Sequence, residues 1–301
     1  MKILILAGGS FIVPSLAGYL NTWKHEVAVF DNNDSVSPAS RHITGDRRAL
    51  TDHKADLGQE PYDVVIDMAA TTLDEARQLA DVFERPGQRI VLASSFEVYR
   101  AYGRHLKTEP GPPDLVPLLE DDPLREKPLV ENTPSDLVDV EKFLRSSETL
   151  RETILRLPIV YGPNDPNHTF QEYLANMNGE TASIALAPEF AEWRAPSGYV
   201  EDIGYAIALA AKNTKAVGKT YNVADSFAFT RLDWIRAIAR ADGWNGSVTV
   251  DKAAALPAQY DYSQHLILDS SGIRQDLGYI EQTPINEAFA KSVHWEQTYN
   301  R

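Results

Sequence analysis

Short apolar runs alternate with amphipathic stretches through the first half of the chain. The runs at 2–7, 26–30, 64–68, 90–94 and 153–157 carry apolar side chains at successive positions, the pattern of parallel strands covered on both faces. Between several of them, residues 14–23, 73–83 and 136–147 repeat apolar positions at helical spacing. The alternation predicts an α/β fold, a Rossmann-type doubly wound parallel sheet.

After "RLPIVYGPNDPNH" the pattern breaks into scattered helices, short strands and loops rich in Pro and Asn, then returns in "SGYVEDIGYAIALAA" to a helix with an apolar face and in "GKTYNVAD" to a short strand. Beyond residue 231 a helix ("LDWIRAIARADGW"), a strand ("SVTVDK") and a final helix ("INEAFAKSVHWE") follow. This predicts a nucleotide-binding domain over 1–162, re-entered at about 198–225. A smaller α+β substrate domain takes about 163–197 and 226–301. The cleft between the two is the expected site.

Composition narrows the picture mainly by exclusion. The 301 residues suffice for a substantial core. A formal charge of −14 repels a phosphate backbone, so nucleic acid is not an expected partner. Cysteine is absent, which removes disulfides and thiolate metal sites, and no metal is expected. No run approaches the apolar length of a membrane span, and the first twenty residues read as a buried strand rather than a secretion signal. The expectation is a soluble, cytoplasmic protein.

Candidate chemistry sits at strand ends. "LAGGSF" follows the first strand, where a dinucleotide fold needs glycines for close backbone approach to a pyrophosphate. Gly8, Gly9 and Ser10 are the candidates, although the spacing of later glycines fails and Val13-Pro14 follow. Asp31 ends the second strand, where an acid binds the ribose hydroxyls of NAD and repels the extra phosphate of NADP. Asp46 either contacts adenine or caps the next helix. In "VLASSFEVYRAYG" the alternation of side chains along a strand places Ser95 and Glu97 on one side of its carboxyl end. There they serve as hydrogen-bond donor and proton carrier, or Ser95 satisfies a backbone group and Glu97 pairs with Arg100 or Arg104.

In sum, "HEVAVFD", "HITGDRRAL", "DVVIDMAA", "SSFEVY", "ILRLPIVYGPND", "GYVEDIGYAIALAA" and "TYNVAD" resemble, in order and spacing, the extended short-chain dehydrogenase/reductase family of NAD-dependent epimerases and dehydratases. The resemblance spans nearly the whole chain. It implies NAD as cofactor, a small-molecule substrate and a homodimer formed through the helices at 73–83 and 136–147, with Val138, Val140, Phe143 and Leu144 as the apolar surface. Ser95 matches the family's active-site Ser/Thr, Glu97 an acid of its sugar-nucleotide dehydratases, and Asp31 and Asp46 its ribose- and adenine-side acids. Tyr99, Tyr161, His168 and Arg194 lie in segments expected to line the substrate.

Two departures stand out. The family's GxxGxxG has only its first glycine here, Gly8, with Val13 at the third position. The catalytic Tyr and Lys, four residues apart, are missing: anchored on Val140-Glu141, the Tyr position is Thr133 and the Lys position Leu137. An aliphatic hydroxyl is a far weaker acid than a phenol. Three readings follow: an enzyme running non-redox acid/base chemistry (isomerisation, elimination or cyclisation) with Glu97, Ser95 and Thr133; a conventional NAD-dependent epimerase, dehydratase or reductase with substituted groups; and a sensor of NAD or another ligand without turnover.

Overall fold

The computed structural model describes residues 1–32, 41–58, 60–129, 136–178 and 183–299. The strands in chain order are β1 (Lys2–Leu6), β2 (Glu26–Asp31), β3 (Arg41–Thr44), β4 (Val64–Asp67), β5 (Gln88–Ser95), β6 (Leu150–Leu157), β7 (Ile159–Tyr161), β8 (Ser183–Leu186), β9 (Ser197–Tyr199), β10 (Lys219–Asn222) and β11 (Ser247–Val250). The α-helices are α1 (Val13–Thr22), α2 (Lys54–Leu57), α3 (Leu73–Phe83), α4 (Arg100–His105), α5 (Leu137–Arg145), α6 (Gln171–Asn178), α7 (Pro188–Glu192), α8 (Val200–Lys212), α9 (Arg231–Asp242), α10 (Ser271–Leu277) and α11 (Ile285–Tyr299).

Seven strands form one parallel sheet in the order β10-β6-β5-β4-β1-β2-β3. Its strands read as unbroken apolar runs because both faces are covered. Ile3 and Ile5 of β1 join the core formed with α1 and α8, while Leu4 and Leu6 join the opposite core with α3 and α5. Connections run outward from β1 in one direction and from β4 in the other, so the crevice at the carboxyl ends of these two strands is the topological switch point.

Helix starts follow local chemistry. Thr72 and Glu75 form a reciprocal capping box at α3, and Asp136 and Asp139 one at α5. The smaller layer contains two short parallel pairs, β7 with β9 and β8 with β11, together with α6, α7, α9 and α11. α10 packs back on β10 and α8, so part of 226–301 lies against the sheet.

The strand at 41–44 was absent from the expected set because β3 is a partly exposed edge strand with no buried apolar run. β5 and β6 start earlier than their apolar runs, at Gln88 and Leu150. Of the four residues proposed as a dimer surface, Val138, Val140 and Leu144 are buried in the chain's own core, and Phe143 packs partly against it. No helix among the described residues is long and apolar enough to cross a membrane.

Candidate active site

Among the described residues, two cavities lie along the crevice. The smaller, about 330 Å³, lies at the outer end beside Gly8, Asp31, Asp46, Arg47, Arg48, Ala69 and Glu75. The larger, about 710 Å³, lies between the sheet and the smaller layer and is lined by Ser10, Ser95, Glu97, Tyr102, Leu137, Arg231 and several aromatic rings. Thr71 borders both.

The first βα turn shapes the smaller cavity. Gly8 has φ +56°, and a Cβ there would fall 2.3 Å from the Ala69 Cβ, so only glycine fits. The Gly9 amide donates to Asp31 Oδ1 at 3.2 Å, and the Asn32 amide donates to the same oxygen at 2.8 Å. Asp31 is buried and borders the cavity. Asp46 is a cap: its Oδ1 accepts the Arg48 amide at 2.9 Å, and the carboxylate pairs with the Arg48 guanidinium. Val13 is buried in the core, and α8 approaches α1 closely at Gly204, where a Cβ would lie 2.6 Å from Ser15 Oγ and 2.8 Å from the Leu16 nitrogen.

Beneath this cavity lies a buried ion pair that motif comparison did not single out. Arg47 Nε donates to Asp67 Oδ2 at 3.1 Å, both side chains are almost fully buried, and Asp67 Oδ1 also accepts the Ala69 and Ala70 amides. Arg47 Nη1 is buried without a partner and Arg47 lines the cavity. The sequence signal was Asp67 itself, a carboxylate closing an apolar strand, which requires a cation once buried.

In the larger cavity, Ser95 ends β5 and its Oγ accepts the Glu97 amide at 3.2 Å, turning the chain so that both residues face the cleft. Arg100 and Arg104, the cations considered as partners for Glu97, both bind Asp114 instead. Among the described residues no cation pairs with the Glu97 carboxylate. Its neighbour is Tyr102: burial, and then the Glu97 charge beside it, push that phenol well above its usual range, so it stays protonated. Arg125 fixes the turn from behind, donating to the Glu97 carbonyl and pairing with Asp136.

The smaller layer closes the cleft with Phe190, Trp193, Tyr260 and Tyr262. His105 stacks between Trp193 and Tyr260, at 4.6 and 5.0 Å between ring centres, and its Nδ1 lies 3.0 Å from the Asp261 carbonyl. Burial lowers its pKa, so the ring is neutral and Nδ1 donates. Arg231 lines the cleft and lies over Trp193 at 5.1 Å, and its buried Nε has no partner among the described residues.

Four residues expected to line substrate lie elsewhere. Tyr99 is fully buried, donating to Asn222 Oδ1 at 2.7 Å with Arg156 over its ring. Tyr161, the last residue of β7, is fully buried and stacked on Phe170. His168 is held by Glu296 at 2.8 Å and stacked on Trp295. Arg194 turns away to donate to the Ala228 carbonyl. The side chains of Tyr99, His168 and Arg194 each satisfy an internal partner, and the Tyr161 ring packs in the core. Thr133 lies outside the described residues. Leu137 lines the cleft where the family resemblance places its lysine.

No family model matches the sequence, and no curated protein does. Solved structures match over almost the whole chain. A UDP-glucose 4-epimerase with UDP-glucose from Thermotoga maritima aligns with TM-score 0.74 at 16% identity, covering 100% of both chains. The fold is that of the extended short-chain dehydrogenases/reductases. A dTDP-glucose 4,6-dehydratase from Bacillus anthracis in complex with NAD gives 0.74 at 15%, over 99% of this chain and 97% of that one. A short-chain dehydrogenase/reductase superfamily protein from Agrobacterium tumefaciens with bound NAD gives 0.71 at 19%, over 100% and 98%.

These residues fit the adenosine end of a dinucleotide better than its reactive end. Asp31, the Gly8 approach and the unpartnered Arg47 nitrogen suit a nucleoside. Farther along the turn, the Ser10 and Val13 amides bond within the turn, Ile12's points to Ser10 Oγ, and Pro14 has none. At the other end Leu137 offers no hydrogen bond to a ribose. Among the described residues, no group of three or more His, Asp or Glu is placed to hold a metal ion.

Proposed function

We propose that the protein is an enzyme catalysing non-redox proton transfer on a small molecule bound in the 710 Å³ cleft, an isomerisation, elimination or cyclisation. The observation that carries this reading is Glu97, a carboxylate facing the cleft without a paired cation and next to a protonated phenol. Glu97 takes the proton from a carbon beside a substrate carbonyl. The electron pair moves onto the carbonyl oxygen, and Glu97 returns the proton at the same or a neighbouring carbon. Ser95 Oγ accepts the Glu97 amide, so its own O–H remains to donate to the substrate oxygen as charge develops. Tyr102 donates toward Glu97 and orients it.

The walls argue for the substrate's shape. Phe96, Tyr102, Phe190, Trp193, Tyr260 and Tyr262 present flat apolar faces, and Arg231 offers a charged donor beside Trp193. A ring or conjugated carbonyl compound bearing a carboxylate or phosphate matches both. A second reading, use of NAD as in conventional epimerases and dehydratases, is favoured by Asp31 and the cavity beside Gly8. A bound NAD would supply reversible hydride transfer, and Asp31 with Gly8 would hold its adenosine ribose.

Solvent exchange tests the proposal before a substrate is known. A panel of sugar nucleotides and cyclic keto acids is incubated with the enzyme in D2O, and deuterium entry is followed by NMR. The wild type exchanges one C–H position in at least one compound, and Glu97→Gln slows it by about 10²–10⁴-fold. Undiminished exchange in that variant removes Glu97 from the mechanism.

A further inference from the structure

A third cavity, about 460 Å³, lies behind the cleft where α8, the loop after β10 and the segment leading into α11 meet. Its walls include Tyr161, Tyr199, Phe227 and Phe229, and its charged groups are the carboxylates of Asp202, Asp225 and Glu281, with Ser226, Gln282 and Thr283 beside them. We infer that this cavity is a binding site for an organic monocation, an ammonium or amidinium carried on a flat apolar body, seated between Asp225 and the Tyr161 hydroxyl.

Charge leads to this assignment. Glu281 is neutralised by Arg274, which holds both its oxygens at 2.6 and 3.0 Å. Lys291 pairs with Glu201 and Glu287 at the exposed end of α11 and does not line the cavity. Asp202 accepts the amides of Gln282 and Thr283, and Asp225 the Ser197 hydroxyl at 2.9 Å and the Tyr199 amide. Among the described residues neither carboxylate has an ion-pair partner of its own, the nearby Arg274 being committed to Glu281.

An independent observation comes from Tyr161. Its ring is completely buried, yet among the described residues its hydroxyl has no partner, and the charges of Asp225 and Asp202 act on it. A buried hydroxyl left unbonded costs about 1–3 kcal/mol, and an N–H donor in the cavity would satisfy it. Aromatic faces add cation–π attraction for the same charge. Among the described residues no group of three or more acidic or His side chains is placed to hold a metal ion, and the aromatic walls suit an organic cation.

The pH dependence has a defined sign. Burial pushes Asp225 up to about 7 and Asp202 up to about 6. The groups facing them are Glu281, Glu201, Arg274 and the phenols of Tyr161, Tyr199 and Tyr279. The phenols stay protonated, so the two aspartates alone change charge between about pH 5 and pH 8. Cation affinity therefore rises with pH through that window.

Benzamidine is the probe, and benzyl alcohol its uncharged counterpart, both titrated calorimetrically into the full chain. Saturable benzamidine binding is expected near pH 8, weakening at least roughly tenfold at about pH 5, with benzyl alcohol much weaker. Asp225→Asn keeps the shape and the Ser197 bond and should lose about tenfold or more; Tyr161→Phe should lose about threefold to tenfold. Glu97→Gln, in the other cavity, should bind as the wild type does. The inference is overturned by absence of binding at about 5 mM probe, by a flat pH profile, by equal affinity for benzyl alcohol, by Tyr161→Phe or a folded Asp225→Asn binding like the wild type, or by loss of binding in Glu97→Gln. A failure of the cleft proposal leaves all of these readouts intact.

Discussion

The two ends of the crevice at the switch point are built from opposite materials. Around Gly8 and Asp31 the wall is polar and charged, with an aspartate receiving two amides, an acid capping the next turn and an arginine held rigidly on Asp67. Around Leu137 the wall is apolar and aromatic, with Phe11, Ile12 and Leu157 beside it and the proton-transfer groups confined to the end of β5. The two ends thus differ chemically, one built on an ion pair and amide-bound carboxylates and the other on aliphatic and aromatic faces, which teaches that separate sets of side chains on one sheet give the two ends of one crevice different characters.

The strongest way to break the contrast is to remove the charge beneath the polar end. Arg47→Met leaves the Asp67 carboxylate buried at the end of β4 with only two amides, a loss of about 3–5 kcal/mol. Urea unfolding should show it, and pairing the change with Asp67→Leu should restore most of the stability. Equal stability of the single variant and the wild type would mean that the pair is not sequestered.

A milder intervention works on the apolar end. Leu137→Lys returns a cation to the first turn of α5, within the cleft lining. A hydrogen bond to a charged group contributes about 1.5–3 kcal/mol, so NAD should bind about tenfold more tightly. AMP, which reaches only the polar end, should bind the variant and the wild type alike. Parallel gains for both ligands would show that the two ends are not independent.

How much of this was legible depends on whether a local rule applied. Strand cores were legible because two-faced burial writes itself as an apolar run; Ser95 and Glu97 do share the cleft, but β5 stops at Ser95 and the 3₁₀ turn after it, not strand alternation, directs Glu97. The edge strand β3, half exposed, left no such trace. Motif resemblance located the segments of Tyr99, Tyr161, His168 and Arg194 but says nothing of where a side chain turns. Those directions are set by distant partners: Asn222 for Tyr99 and Glu296 for His168. Arg231, Tyr260 and Tyr262 reach the cleft from far along the chain, so no spacing announces them. Arg47 and Asp67 stood inside quoted motifs and were legible in principle, since a carboxylate ending an apolar strand calls for a buried cation.

The smallest expected effect tests the polar end at its rim. Asp46 has two jobs that one substitution separates from any ligand role: it caps the 3₁₀ turn Arg47–His53 and pairs with the exposed Arg48. The ion pair lies in solvent and adds little, so Asp46→Ala should cost about 1 kcal/mol, the ordinary loss of an N-cap. Asp46→Asn keeps the cap and removes the charge, and should be nearly neutral in thermal unfolding. If AMP affinity falls in the alanine variant but not in the asparagine one, the cap's hold on the Arg47 turn shapes the cavity. If it falls equally in both, the carboxylate itself meets the ligand, and the polar end reads a nucleoside through Asp46 as well as Asp31.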